Sequence, residues 1–227
     1  MSDEYFHRLI SLPLFLGLTR EDTLEMAGKA RFDFQRPSHG QQLAREGEEC
    51  NALIFVIQGQ VKTEERAIDG SFRLQEYVSA PTVIQPERLF GRRNRYSKDF
   101  YAEGDDVQLL AVSKKDVRDV LFAFTAFHLN YLNNICTTQQ IFSQRLWMPE
   151  PKNLRQHFVA FLQKRCDHMS GHKRLVIGMN ELATHLLTTR LNVSRLLHEL
   201  EEENLIYIHR GVIDIPEVQK LMQSIES

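Results

Sequence analysis

The stretch Met179 to Arg210, MNELATHLLTTRLNVSRLLHELEEENLIYIHR, spaces its apolar residues so that two short helices fold around a tight turn and lead into a hairpin. Leu182, Ala183, Leu186 and Leu187 form an i, i+1, i+4, i+5 stripe that faces a core, with Asn180 as the expected N-cap. Thr188 and Thr189 can cap a second helix, whose expected buried face is Leu191, Val193, Leu196, Leu197 and Leu200. Arg190, Asn192, Ser194, Arg195, His198 and Glu199 are left pointing outward. Arginine can fork onto guanine and asparagine onto adenine, while serine and threonine suit phosphate, so this outward set fits a helix lying in the DNA major groove. Glu201 to Glu203 repel DNA and belong at the far end, before Asn204 ends the helix. LIYI (205–208) and VIDI (212–215) then alternate as two short strands around His209, Arg210 and Gly211, a wing whose tip could reach a phosphate or the minor groove. The candidate DNA-binding residues are Thr188, Thr189, Arg190, Asn192, Ser194, Arg195, His198 and Arg210. The plain alternative is a small helical domain with a solvated polar face.

Upstream the periodicity changes twice. Residues 5 to 30 read as short helices, with Thr19 as an N-cap ahead of Leu24, Met26 and Ala27. From Arg31 to Tyr101 the period drops to two, in runs such as RFDFQ, NALIFVIQGQVKTEE and FRLQEYVSA broken by Gly40, Gly47, Gly59 and Asp69-Gly70, which predicts a compact antiparallel roll. Ser113 can cap a short helix through Val120. A longer one, from about Thr125 to Leu146, carries Phe124, His128, Tyr131, Ile135, Thr138 and Phe142 at alternating 4 and 3 spacing. That is a coiled-coil seam and points to a homodimer, which would set two recognition helices about 34 Å apart. The other use of the stripe is packing on the chain's own roll, and Phe127, Leu132 and Ile141 widen it enough for both. Trp147-Met148-Pro149-Glu150-Pro151 reads as a hinge, since proline disfavours helix in the residue before it. Leu154, Phe158, Val159, Phe161 and Leu162 then open a further amphipathic helix, and Pro216 begins a last one through Met222. The expected division is 1–112, 113–147 and 148–227.

The motifs of these segments resemble the cyclic-AMP receptor and fumarate-nitrate regulator (Crp-Fnr) superfamily over nearly the whole chain. The resemblance rests on Glu181-Leu182-Ala183, Thr189-Arg190, Val193-Ser194-Arg195 and Leu200-Glu201-Glu202-Glu203-Asn204-Leu205-Ile206, and in the roll on PLFLGLT (13–19), Pro37-Ser38-His39-Gly40, Arg45-Glu46-Gly47-Glu48 and Leu53 to Val61. It implies an α+β protein: an N-terminal cyclic-nucleotide-binding-type β-roll acting as sensor, a long dimerisation helix and a C-terminal winged helix-turn-helix. It also implies that Arg190 and Arg195 hold the two DNA-contacting arginine positions. Two departures stand out. Leu187 occupies the usual turn-glycine position, and Leu191 replaces an acidic residue that reads cytosine in the best-known member, offering an apolar contact such as to a thymine methyl.

The ligand of the roll is a separate question. Family members that bind cyclic nucleotide carry Gly-Glu in a short helix and Arg-Ser or Arg-Thr about ten residues on; here these places read Val83-Ile84-Gln85-Pro86-Glu87 and Ser97-Lys98-Asp99, and the base-contacting Thr-Ser pair falls near Phe142-Ser143. A buried phosphate without its arginine is costly, so cyclic nucleotide is disfavoured. Arg92, Arg93, Arg95 and Lys98 crowd one loop as a candidate anion site, against the commoner reading of a solvated loop. Among nine histidines, His128 is a candidate haem ligand, against the commoner role of a packed or interface residue. The cofactor is left unknown.

Composition is consistent with this reading. The 227 residues suffice for two modest domains, and 42% hydrophobic with 26% charged residues is ordinary globular composition. A net charge of -2 excludes non-specific coating of nucleic acid by the whole surface, so DNA binding needs a local patch. Cys50, Cys136 and Cys166 are odd in number and contain no CxxC pair, which fits reduced thiols without a metal framework or an N-terminal iron-sulfur cluster. No leader-like pattern opens the sequence and no apolar run approaches a membrane span, so a cytoplasmic location is expected. No Ser-His-Asp, metal-ligand or phosphate-loop spacing occurs, His168 to His172 being too sparse for zinc, and no catalytic residue is assigned. The expectation is therefore a homodimeric, sequence-specific transcription regulator that binds double-stranded DNA, controlled by an effector in the roll or active without one, with RNA polymerase as a candidate further partner. The rival is a sensory module that acts through a protein partner.

Overall fold

A computed structural model describes residues 8–225; residues 5–7, the expected start of the N-terminal helices, lie outside them. The chain divides into two units, residues 1–61 with 79–143 and residues 62–78 with 144–227. In the first unit Leu12, Leu14 and Phe15 are buried around a 3-10 turn, Pro13–Phe15. Thr19 then starts α1 (Arg20–Lys29) with a capping box: its hydroxyl accepts from Asp22 N, and the Asp22 carboxylate accepts from Thr19 N. The strands that follow are β1 (Phe32–Gln35), β2 (Gln42–Ala44), β3 (Ala52–Arg66), β4 (Phe72–Ser79), β5 (Thr82–Ile84) and β6 (Asp99–Ser113). β6 pairs antiparallel with β1 and β2, and β3 with β5, which is the roll that the period-two runs predict. Gly59 sits at φ 82°, and a Cβ there would lie 2.9 Å from Val107 Cα, so only glycine lets β3 pass β6 at this point.

Ser113 caps α2 (Lys114–Asp119), accepting from Asp116 N, and α3 spans Thr125–Arg145. Phe127 anchors α3 to the roll, its ring edge-on to Phe15 at 5.2 Å. Tyr131, only 6% exposed, packs against Phe90 and Phe122 and donates from its hydroxyl to Pro86 O at 2.7 Å. Of the seam expected from spacing, Tyr131 is the member that the fold withdraws. Tyr131 is spent on its own roll, Thr138 lies half-buried about 20° from Tyr131 around the helix axis with its hydroxyl donating to Asn134 O, and Phe124 precedes the helix. At about 100° per residue His128, Leu132, Ile135, Gln139 and Phe142 form a second, more outward row at the same 4 and 3 spacing, which shares His128, Ile135 and Phe142 with the expected one. Leu129, Leu132 and Phe142 are left exposed on the described chain.

The second unit contains α4 (Leu154–Gln163), β7 (Lys173–Ile177), α5 (Met179–His185), α6 (Arg190–Glu202), β8 (Tyr207–His209), β9 (Val212–Ile215) and α7 (Val218–Gln223). The last helix starts two residues after the expected Pro216, and the expected hinge at 147–151 lies inside this unit. β9 pairs with β8 and β7. The opposite edge of β7 pairs with β4, Phe72 against Ile177 through Glu76 against Lys173, so a hairpin from the middle of the chain completes the sheet. Phe72 enters the aromatic cluster: its ring centroid lies 5.3 Å from those of Phe161 and His185, with the Arg165 guanidinium 5.0 Å from it and 3.8 Å over Phe161.

One buried ion pair fixes this pairing. Lys173 and Glu76 side chains are 0% and 2% exposed and 3.2 Å apart; Glu76 also accepts from Asp167 N and His168 N, and Lys173 donates to Ser170 O. With both charges desolvated, removal of one partner strands the other. Lys173→Met is expected to destabilise the second unit by about 3–5 kcal/mol, read from chemical denaturation, and Glu76→Gln added to it to recover part of that loss.

Candidate nucleic-acid interface

The turn between α5 and α6 is set by hydrogen bonds more than by composition. Helix α5 has Gly178, not the expected Asn180, at its N-cap and ends in a Schellman arrangement: Thr188 N donates to Ala183 O at 2.9 Å and Leu187 N to Thr184 O at 3.2 Å. This geometry needs a left-handed residue, and Leu187 supplies it at φ 53°. Its side chain is therefore turned out of the core, 87% exposed, and does not belong to the apolar stripe in which its spacing placed it. Thr189 caps α6, accepting from Asn192 N at 3.3 Å. Asn204, at φ 58°, closes α6 by the same device, with Leu205 N donating to Leu200 O and Asn204 N to Glu201 O.

Val193, Leu196, Leu197 and Leu200 bury one face of α6 against Leu182, Phe158 and Ile213. Leu191, expected on that face, is 68% exposed instead. The helical rotation from the buried row explains this: Leu191, Arg195, His198 and Glu202 form the outermost ridge, with Arg190 and Ser194 on one flank and Asn192 and Glu199 on the other. Arg190 faces the wing side, lining a hollow of about 280 Å³ with Ile208, His209 and Gly211. On the other flank Arg195 and Asn192 line a hollow of about 420 Å³ with Asn153 and Arg155. Thr188 and Asn192 are joined, Asn192 Nδ2 donating to Thr188 Oγ1 at 3.1 Å, so both candidates are already engaged with each other. The wing turns at Gly211 (φ 74°) and leaves Arg210 exposed at its tip.

The acidic end of α6 is tied down. Glu201 accepts from Ile208 N at 2.8 Å, joining the helix to the wing, and Glu203 takes a two-pronged contact from Arg155, which holds its carboxyl below the usual carboxylate range. Only Glu202 of the three stays out on the ridge, at the end remote from Arg190.

The other candidate site does not assemble. Arg92 and Arg93 are exposed on their loop, Arg95 donates to Gly47 O, and Lys98 is 2% exposed inside the roll, where burial closes it to an anion in solvent. Beside it, Gln85 (φ 36°) spans the gap by donating to Ser97 Oγ and accepting from Ser97 N. His128 is exposed and stacks on Phe122 at 4.7 Å. Among the described residues no group of three or more His, Cys, Asp or Glu could hold a metal ion, and no helix is long and apolar enough to cross a membrane.

A left-handed leucine costs roughly 1–2 kcal/mol, and Leu187 recovers little of it by burial. Leu187→Gly is expected to stabilise the second unit by about 1 kcal/mol, seen as a raised urea midpoint.

Residues 35–124 match the cyclic nucleotide-binding domain and residues 156–224 the Crp-like helix-turn-helix domain. No curated protein matches the chain significantly. Among solved structures, the fold is similar to the catabolite activator protein of Thermus thermophilus, at 20% identity and TM-score 0.52 over 93% of this chain and 97% of that one. It is also similar to a protein of Eubacterium rectale ATCC 33656 titled as a Crp/Fnr-family transcriptional regulator, at 18% identity and TM-score 0.51 over 96% and 99% of the two chains. With a cyclic-nucleotide-binding-type roll followed by a Crp-like helix-turn-helix, the chain belongs to the Crp-Fnr superfamily of DNA-binding transcription regulators.

Proposed function

We propose that this regulator acts in the cytoplasm as a homodimer, reading a palindromic operator with two copies of α6 and changing RNA polymerase activity at the adjoining promoter. The outward side of α6 carries this reading: its cations, Arg190 and Arg195, lie toward the N-terminal end, where a recognition helix meets base edges, and of its three C-terminal acids Glu203 is paired with Arg155 and Glu201 is tied to the wing. Thr189 and Ser194 suit phosphate, His198 either phosphate or base, and Arg210 a phosphate beside the groove. Thr188 and Asn192 act in this reading by bracing the start of the helix.

Control comes from an effector in the roll, or the dimer is competent without one. The Gln85–Ser97 bridge and the buried Lys98 leave the phosphate position without an arginine, which supports a trigger other than cyclic nucleotide. The chain passes between its two units at 61–62, 78–79 and 143–144, so a population shift between DNA-competent and incompetent arrangements involves the β3–β4 hairpin as well as α3.

At fixed salt, Arg190→Ala is expected to cost about 1–3 kcal/mol on a selected operator and to relax specificity at one position; unchanged discrimination defeats the reading of α6. Arg210→Ala is expected to weaken all sequences alike. For the dimer, sedimentation of Leu132→Glu with Phe142→Glu is expected to give a monomer, while Tyr131→Phe stays dimeric. A dimeric double variant rules out the outward row as the seam.

A further inference from the structure

We infer that Leu191 reads the 5-methyl group of a thymine in each operator half-site, making it a specificity-determining residue of this regulator. The inference rests on α6 being the DNA-reading helix. Leu191 is the second residue of α6, in the turn that enters a major groove first, and it stands on the outermost ridge with Arg195 and His198. It is 68% exposed while Val193, Leu196, Leu197 and Leu200 complete the core without it, so packing within the domain gives no reason for an apolar side chain here. Its neighbour Asn192, the other base-reading residue type in this turn, has its amide donating to Thr188 Oγ1 and its backbone N–H donating to Thr189 Oγ1. The outermost side chains at the tip of the helix are Leu191 and Arg195, with Arg190 on the flank beside them.

Chemistry then narrows the partner. A leucine side chain has no donor or acceptor, and the thymine methyl is the apolar group that distinguishes a base pair on its major-groove edge. Contact between the two removes apolar surface of both from water. A cytosine in the same place lacks the methyl group, and its amino donor stands where thymine has O4, which leucine cannot pair with either, so the methyl is the difference that this side chain can sense. Thymine is thus favoured over cytosine by its methyl contact.

The test begins with selection of an operator from random duplex DNA by the full-length protein. Each thymine is then replaced singly by deoxyuridine, which removes the methyl group and keeps every hydrogen-bonding group. One thymine per half-site is expected to lose affinity about fourfold on this change, the factor that one buried methyl group supplies. Leu191→Ala is expected to bind the thymine operator several-fold more weakly and to show no difference between thymine and deoxyuridine. Placing 5-methylcytosine at that position is expected to recover part of the binding lost to cytosine, for wild type only. Leu191→Glu is expected to prefer cytosine there, since a carboxylate accepts from its amino group. Wild-type binding that ignores every methyl removal, or a methyl effect that survives Leu191→Ala, overturns the inference and leaves the DNA reading standing. Failure of selection to yield any preferred sequence overturns both.

Discussion

The orientation of α6 depends on one packing constraint, the burial of Val193, Leu196, Leu197 and Leu200 against α4, α5 and β9. Four large apolar side chains on one side of a helix leave no rotational freedom, because turning the helix by even one residue position would carry leucines into water and polar side chains into the core. Everything on the reading face follows from that lock. Arg195, His198 and Leu191 are outermost because they lie opposite the buried row. The Schellman turn at Leu187 then sets the direction in which α6 leaves α5, and Glu201 and Glu203 pin its far end to the wing and to α4.

Leu187 and Leu191 show where pattern reading stops. Both are leucines at helix-compatible spacing, and hydrophobicity alone places them in the core. Leu187 leaves it because a left-handed backbone at a helix C-terminus redirects its side chain, and Leu191 because its angular position falls outside the row completed by its neighbours. The two departures from the family pattern are thus also two departures from the ordinary inside-out rule, one in the turn and one on the reading ridge.

The hairpin of β3 and β4 was invisible for a different reason. Its alternation marks two strands and its Asp69-Gly70 marks the turn, but nothing local in FRLQE says that its partner is KRLVI a hundred residues later. Strand pairing is a non-local choice, and here it is made by a buried Glu76–Lys173 pair and by Phe72 beneath Arg165. The same limit applies to α3. A 4-and-3 spacing fits more than one row of a helix, and the spacing does not say that Phe127 and Tyr131 are used by the chain's own packing.

What the sequence determined by itself was the order and kind of the elements: the capped N-terminal helix, the roll, the long helix, and the paired helices and wing, together with most of the side chains on the outward face of α6. Those properties reside in local spacing, capping residues and turn residues, which act within a few positions along the chain. Tertiary structure alone decided which apolar residues were outside, which cations were withdrawn, as Lys98 was, and which strand completed the helix-turn-helix sheet. Each of those outcomes depends on what a residue meets across the fold, and burial, unlike periodicity, is settled by neighbours that the sequence does not place side by side.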